Sequence, residues 1–331
     1  MTKSADELKE LVIGMLVAAN ASETNARIVA EHLVTANLSG VDTHGVWQLP
    51  GYIAAIQAGE LDPAAAPEIE RETATSALVR GNWTFGQVAA KFAMEQAIAK
   101  AAAHDLALVG VVESHHIGRV GEYAEMAASE KMISMIWAGG FAENRPVVVP
   151  HGGRSAVLGT NPVAMGFPAG QEPRMLFDFA TAASSGVKIV NAQRTKQEVP
   201  EGWIVDKDGN PTRNADDVLE GGGQLPFGEH KGYALLMTTE WLARVFTGTS
   251  RFAQGNLGGL YRDIGAYAKA EPLLIQALNI VRKVLGEEHP NYAASLGNLA
   301  GLYQEMGAYD KAEPLHLQAL EINRKALGEE H

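Results

Sequence analysis

Leu106-Ala107-Leu108-Val109-Gly110-Val111-Val112-Glu113-Ser114-His115-His116-Ile117-Gly118-Arg119-Val120-Gly121-Glu122-Tyr123 is the stretch in which the fold class can be read. Residues 106–112 form an unbroken apolar run with the length and texture of a buried strand. The run gives way at once to a carboxylate, a hydroxyl, two imidazoles and a guanidinium, and then to a helical pattern over about 120–130. In α/β sheets the carboxyl end of a strand faces the ligand crevice, which is where these reactive groups fall. A strand expected over 132–137 completes a strand–helix–strand unit. The adjacent histidines lack both the i, i+4 spacing and the third ligand that a metal site needs, so no metal is expected. A histidine serving as proton donor is one reading, and a satisfied, partly buried histidine is the other.

Upstream, Ser4 followed by Glu7 reads as a capping box opening an amphipathic helix to about residue 19. A second helix is expected over 22–36, with Ile28, Val29, Leu33 and Val34 on its buried stripe. Then comes a second concentration of chemistry, Val41-Asp42-Thr43-His44-Gly45-Val46-Trp47-Gln48-Leu49-Pro50-Gly51-Tyr52. Asp42 can cap a helix, and His44 is the one side chain there whose ordinary pKa lies near neutrality. A short helix to about residue 59, a strand over 76–79 and an Ala-rich helix over 85–104 lead into the opening stretch.

Downstream, short runs at 147–149, 156–158, 163–167 and 175–179 read as strands between Gly, Pro and Asn punctuation. A helical stretch follows near Ser184, and another helix is expected over 232–246. Gly159-Thr160-Asn161-Pro162 is a turn that could line a polar ligand. The segment beginning Asp178-Phe179-Ala180-Thr181 runs into a small-residue helix start that can receive an anionic group. There is no P-loop pattern and no GxGxxG after a strand, so the residues themselves carry no dinucleotide fingerprint.

The 331 residues leave room for two or three domains, and a formal net charge of -12 argues against nucleic acid as the main partner. With no cysteine, disulfides, thiolate metal sites and thiol nucleophiles are all excluded. The mixed charges of residues 1–10 do not make a signal peptide, and no apolar run is long enough to span a membrane, so a cytoplasmic location is expected.

From about Gly248 the texture changes. Asn256-Leu257-Gly258-Gly259-Leu260-Tyr261 recurs as Asn298-Leu299-Ala300-Gly301-Leu302-Tyr303, and Lys269-Ala270-Glu271-Pro272-Leu273 as Lys311-Ala312-Glu313-Pro314-Leu315. Both recurrences have the same offset, about 42 residues, a period that marks stacked helical hairpins. Each unit reads as helix, Gly-marked turn and helix, and the pair resembles tetratricopeptide repeats of the kinesin-light-chain kind.

Residues 1 to about 247 resemble the malate/L-lactate dehydrogenase family that lacks a Rossmann domain. The resemblance is carried in order by Asp42-Thr43-His44-Gly45-Val46, Ser114-His115-His116-Ile117-Gly118, Leu158-Gly159-Thr160-Asn161-Pro162, Asp178-Phe179-Ala180-Thr181, Pro200-Glu201-Gly202-Trp203 and Gly228-Glu229-His230-Lys231-Gly232-Tyr233. It implies an α/β, malate/L-lactate dehydrogenase-like, non-Rossmann NAD(P)-binding domain followed by an all-α tetratricopeptide repeat tail. The expected parts are an N-terminal helical part at 1–73, a cofactor-binding α/β part at 74–247 and two repeats at 251–331, the second incomplete. The implied activity is hydride transfer between NAD or NADP and a 2-oxo/2-hydroxy acid, usually in a homodimer. Carried over by residue, His44 and His116 are the catalytic candidates, and Thr43, Gln48, Tyr52 and Arg119 the substrate-binding ones. Gly159, Thr160, Asn161, Pro162, Asp178, Thr181 and Lys231 fall at the cofactor cleft.

Two departures stand out. The family usually has Arg four positions after the first histidine, where this chain has Gln48, so another cation such as Arg119 or Lys231 is expected to meet the substrate carboxylate. The family also continues past residue 247 with a further C-terminal portion, whose place the repeats take, so a C-terminally truncated dehydrogenase region is expected. The competing readings are an interaction protein that binds a peptide or protein partner through its repeats, with the dehydrogenase part a degenerate scaffold, and an inactive chimera of the two parts.

Overall fold

Two compact units divide the chain after Thr247. The computed structural model describes residues 3–139, 146–170, 172–245, 247, 267–288 and 290–327. Among them no helix is long and apolar enough to cross a membrane.

The first unit opens with α1 (Ala5–Ala18), and both bonds of the expected capping box between Ser4 and Glu7 are present. Helix α2 (Glu23–Leu38) follows, with the Ser22 hydroxyl accepting the Asn25 N–H at its start. The Asp42–His44 and Val46–Gln48 turns are 3-10, and α3 (Leu49–Gln57) continues from them. Val12, Leu16, Val29, Leu33, Tyr52 and Phe85 meet in one core between these helices. The stripe read from α2 is therefore buried as expected, and it also contains His32, which is 1% exposed.

Strands β1 (Glu68–Glu72), β2 (Ser76–Arg80) and β3 (Leu108–Val112) form a sheet in that order. Strand β1 pairs antiparallel with β2, and β2 pairs parallel with β3 across α4 (Gly86–His104). Strand β1, sequence Glu68-Ile69-Glu70-Arg71-Glu72, escaped the sequence reading because its charged, largely exposed face lacks an apolar alternation. The run at 106–112 departs from expectation in the opposite sense. Leu106 and Leu108 are 74% and 52% exposed, because β3 is an edge strand and only its far end is covered.

After β3 the chain makes the histidine loop, α5 (Gly121–Ser129) and β4 (Ser134–Trp137). Strand β4 does not rejoin the first sheet. It pairs antiparallel with β5 (Val163–Phe167), which pairs antiparallel with β6 (Met175–Phe179). The expected strand–helix–strand unit therefore links two sheets, and the parallel crossover lies one step earlier, at β2–α4–β3. Local pattern shows that each strand exists, but its partner depends on which apolar face covers it. Here Ala124 of α5 packs on Ala164 of β5.

The remaining elements are α6 (Gly186–Thr195), three two-residue strands β7 (Ile204–Val205), β8 (Pro211–Thr212) and β9 (Gly223–Gln224), and α7 (Glu229–Glu240). The strands expected at 147–149 and 156–158 reduce to a bridge between Val148 and Leu158. Helix α7 begins three residues earlier than read and passes into a π turn over Trp241–Val245.

In the second unit α8 (Tyr267–Leu285), α9 (Pro290–Glu305) and α10 (Tyr309–Leu327) follow one another. Leu274 of α8, Leu299, Leu302 and Tyr303 of α9, and Ala312 of α10 share one core. The tyrosine, leucine and alanine positions of the repeat thus fill the space between helices. The first repeat's opening segment, 251–266, lies outside the described residues.

Candidate active site

Two loops bring the histidines together. His44 closes the first 3-10 turn after α2, and His116 sits between β3 and α5. Their rings stack with centroids 5.7 Å apart and planes 25° apart. Thr43 Oγ1 is 2.9 Å from His44 Nδ1, and Gln48 Nε2 donates to the Thr43 carbonyl at 2.7 Å. Gln48 is therefore folded back onto its own turn.

Tyr52, expected to meet substrate, is 2% exposed and lies beneath His116. Its hydroxyl is 2.8 Å from His116 Nδ1 and accepts a 2.7 Å hydrogen bond from Gln87 Nε2 on α4. The phenol is thereby engaged within the protein, and burial raises its pKa. Arg119 is 6% exposed and its guanidinium Nη2 reaches Glu125 of α5 at 3.4 Å. Its Nε makes no hydrogen bond among the described residues.

The electrostatics of the two rings differ. Burial pushes His116 down to about 3, with His44, His115 and His32 adding to the effect. Burial also lowers His44, but the negative charge of Asp178 opposes that shift. Asp178 Oδ2 in turn accepts the Gly121 N–H at 2.7 Å, tying β6 to the start of α5. His115 is lowered by burial, against the charge of Glu60. A proton taken up near neutral pH is thus held more readily on His44 than on His116.

A second cluster gathers most of the remaining expected residues. Thr181 Oγ1 donates to the carbonyls of Thr160 and Asn161, at 3.0 and 2.9 Å. The Asn161 amide donates to Glu240 Oε2 of α7 at 2.7 Å. Asn161 and Thr181 are 2% and 0% exposed, so both side chains brace the 159–162 turn instead of projecting from it. Asp178 and Lys231 are exposed, Lys231 in the first turn of α7. On β9, the Gln224 amide oxygen is buried and makes no hydrogen bond among the described residues. A buried acceptor with no partner is suited to a donor brought by a ligand.

The sequence reading named neither Gln87, Asn37 nor His32, which support the two histidine loops from α4 and α2. A polar residue at core spacing, His32 between Val29 and Leu33, was the available signal.

The first unit is thus an α/β unit in which two loops stack a pair of half-buried imidazoles, and comparison with known proteins gives its family. Residues 3–276 match the malate/L-lactate dehydrogenase family, and residues 250–325 match tetratricopeptide repeats. A malate/(S)-sulfolactate dehydrogenase of Methanothermus fervidus is 40% identical over 243 residues, covering 73% of this chain and 70% of that protein. The crystal structure of a delta1-piperideine-2-carboxylate reductase from Pseudomonas syringae superposes with a TM-score of 0.71 at 33% identity, covering 75% of this chain and 74% of that one. The sulfolactate dehydrogenase of Methanocaldococcus jannaschii gives 0.69 at 36% identity, covering 75% and 70%. The chain belongs to the malate/L-lactate dehydrogenase family. The family match runs past residue 247 and overlaps the repeat match over 250–276.

Proposed function

We propose that this chain is an NAD(P)H-dependent 2-hydroxyacid dehydrogenase that interconverts a 2-oxo and a 2-hydroxy carboxylate. The observation that carries the reading is the His44–His116 stack at 5.7 Å, in a chain whose relatives are hydroxyacid dehydrogenases. A bound nicotinamide would supply the hydride for the carbonyl carbon, or accept it in the reverse direction. Residues around 159–160, Asp178 and Lys231 would hold that cofactor.

The protein's own residues manage the proton. With the Tyr52 oxygen accepting from Gln87, its hydroxyl proton is assigned here to His116 Nδ1, which places the proton of neutral His116 on Nε2. In that state His116 donates a hydrogen bond to the substrate oxygen without ionising. His44, whose charged form Asp178 favours, gives its proton to the oxygen as the carbonyl π electrons move onto it, and takes it back in oxidation. Thr43 and the buried charge of Arg119 are assigned to the substrate carboxylate, because Gln48 is engaged with the Thr43 carbonyl. A homodimer is expected on the same resemblance and is read by light scattering.

The test follows NADH and NADPH absorbance with pyruvate, oxaloacetate and sulfopyruvate, alongside calorimetric titration of each cofactor. Oxidation of either cofactor by one of these acids is the expected result. No turnover of any of them together with no cofactor binding overturns the proposal. The repeat unit is read as a protein-interaction module, supported by its match to tetratricopeptide repeats and by Leu317 and Leu320, which are 59% and 65% exposed on α10.

A further inference from the structure

Both histidine loops rest on one helix. Asn37 Oδ1, near the end of α2, accepts the Val46 N–H at 2.9 Å and so holds the turn that carries His44. His32 Nε2, five residues earlier, accepts the Arg119 N–H at 2.9 Å and so holds the loop that carries His116. Tyr123, whose ring stacks on His32 at 5.7 Å, donates its hydroxyl to the Ile117 carbonyl of the same loop. Each loop also presses its glycine against α2. A Cβ on Gly45 would lie 2.2 Å from Asn37 Oδ1, and one on Gly118 would lie 2.1 Å from His32 Nε2.

We propose that α2 is the spacer that sets the separation of the two histidine loops, with His32 a positioning residue for His116 and Asn37 its counterpart for His44. The inference rests on the dehydrogenase reading for its meaning, but not for its geometry. Five residues of helix set the two anchor points about 7.5 Å apart along the axis and about 140° apart around it, so one rigid helix fixes both loops at once. A leucine at position 32 would extend the Val29 and Leu33 core without the desolvation cost of a buried imidazole, but it would leave the buried Arg119 N–H without an acceptor. Because Nε2 accepts, the proton of neutral His32 is on Nδ1, which stands 3.0 Å from Glu122 Oε2 without the alignment of a hydrogen bond.

The test uses the full chain as His32→Leu and as His32→Gln, whose amide oxygen can still accept the Arg119 N–H. His32→Leu is expected to lower kcat about 10²-fold, the scale reached when a reacting group moves by about 1 Å, with the cofactor KM unchanged. His32→Gln is expected to recover most of kcat. A role confined to stability would lower the melting temperature in both variants while the folded protein keeps wild-type kcat, and that result overturns the proposal. Should His32→Leu fail to fold, His32→Asn, whose amide oxygen falls short of the Arg119 N–H, takes its place. A second readout does not need turnover: the ring nitrogen resonances of His44 and His116 in ¹⁵N-histidine-labelled protein. They are expected to move in His32→Leu and return in His32→Gln. Unmoved resonances overturn the spacer. Moved and restored resonances in a protein that reduces none of the acids uphold it and overturn only the proposed function.

Discussion

The proton affinity of His116 makes a quantitative demand on stability. In the unfolded chain its ordinary value is 6.5, and in the folded protein it falls to about 3. The folded state therefore binds this proton less readily. Above about pH 6.5 both states are neutral and the stability is fully present; as pH falls toward 3, the unfolded state gains a proton that the folded state refuses. At about pH 5 the unfolded form is favoured by roughly 1.5 pH units of binding, or about 2 kcal/mol at 1.36 kcal/mol per unit. The measurement is urea unfolding of wild type and His116→Gln at pH 8 and pH 5, followed by tryptophan fluorescence. All five tryptophans (Trp47, Trp83, Trp137, Trp203 and Trp241) precede Gly248, so the signal reports on the first unit alone. His44 and His115 are lowered too and lose stability in the same sense in both proteins, so the larger shift at His116 dominates the difference. The wild type should lose about 2 kcal/mol more than the variant between the two pH values. Equal losses would show that His116 is not held neutral by burial, and the assignment of roles to the two histidines would fall with it.

Other outcomes follow from the same contacts. Tyr52→Phe keeps the edge contact with Phe85 but strips Gln87 Nε2 of its acceptor, so unfolding free energy should drop by about 1–3 kcal/mol, read by denaturant titration, and kcat should fall as well. On the proposed mechanism, reduction of a 2-oxo acid uses protonated His44, so its rate should fall as pH rises, with a midpoint below the ordinary 6.5. Asp178→Asn removes the charge that opposes the burial effect and should move that midpoint lower still, as read from kcat against pH. Gln48→Arg restores a cation next to Thr43 and should lower the KM for a 2-oxo acid about tenfold, the size of one charge-assisted bond of about 1.5 kcal/mol; an unchanged KM would place the carboxylate elsewhere.

Much of the local structure was legible because short-range physics decides it. The Ser4–Glu7 capping box and the apolar stripe of α2 depend on neighbours within one or two helical turns, and both formed. The 42-residue repetition required matching helices, and α8 and α10 span 19 residues each. The DTHG and SHHIG motifs carried the family, and the fold agrees with it.

What the sequence could not decide depends on partners far along the chain. Strand β4 left the first sheet because its pairing is set by the faces of α5 and β5, and β1 was missed because an exposed charged strand has no apolar alternation. That the Tyr52 hydroxyl is engaged by Gln87, 35 residues away, is likewise a property of the fold alone. The sequence by itself determined that two imidazoles follow a helix and a strand, in the order of a hydroxyacid dehydrogenase. Only the tertiary structure decided that the rings stack, that one is held neutral while the other keeps a carboxylate's charge nearby, and that α2 carries the loops of both. A pKa and a ring separation are properties of what surrounds a side chain, and here the surroundings come from residues 32, 37, 87 and 178, which are brought together only by folding.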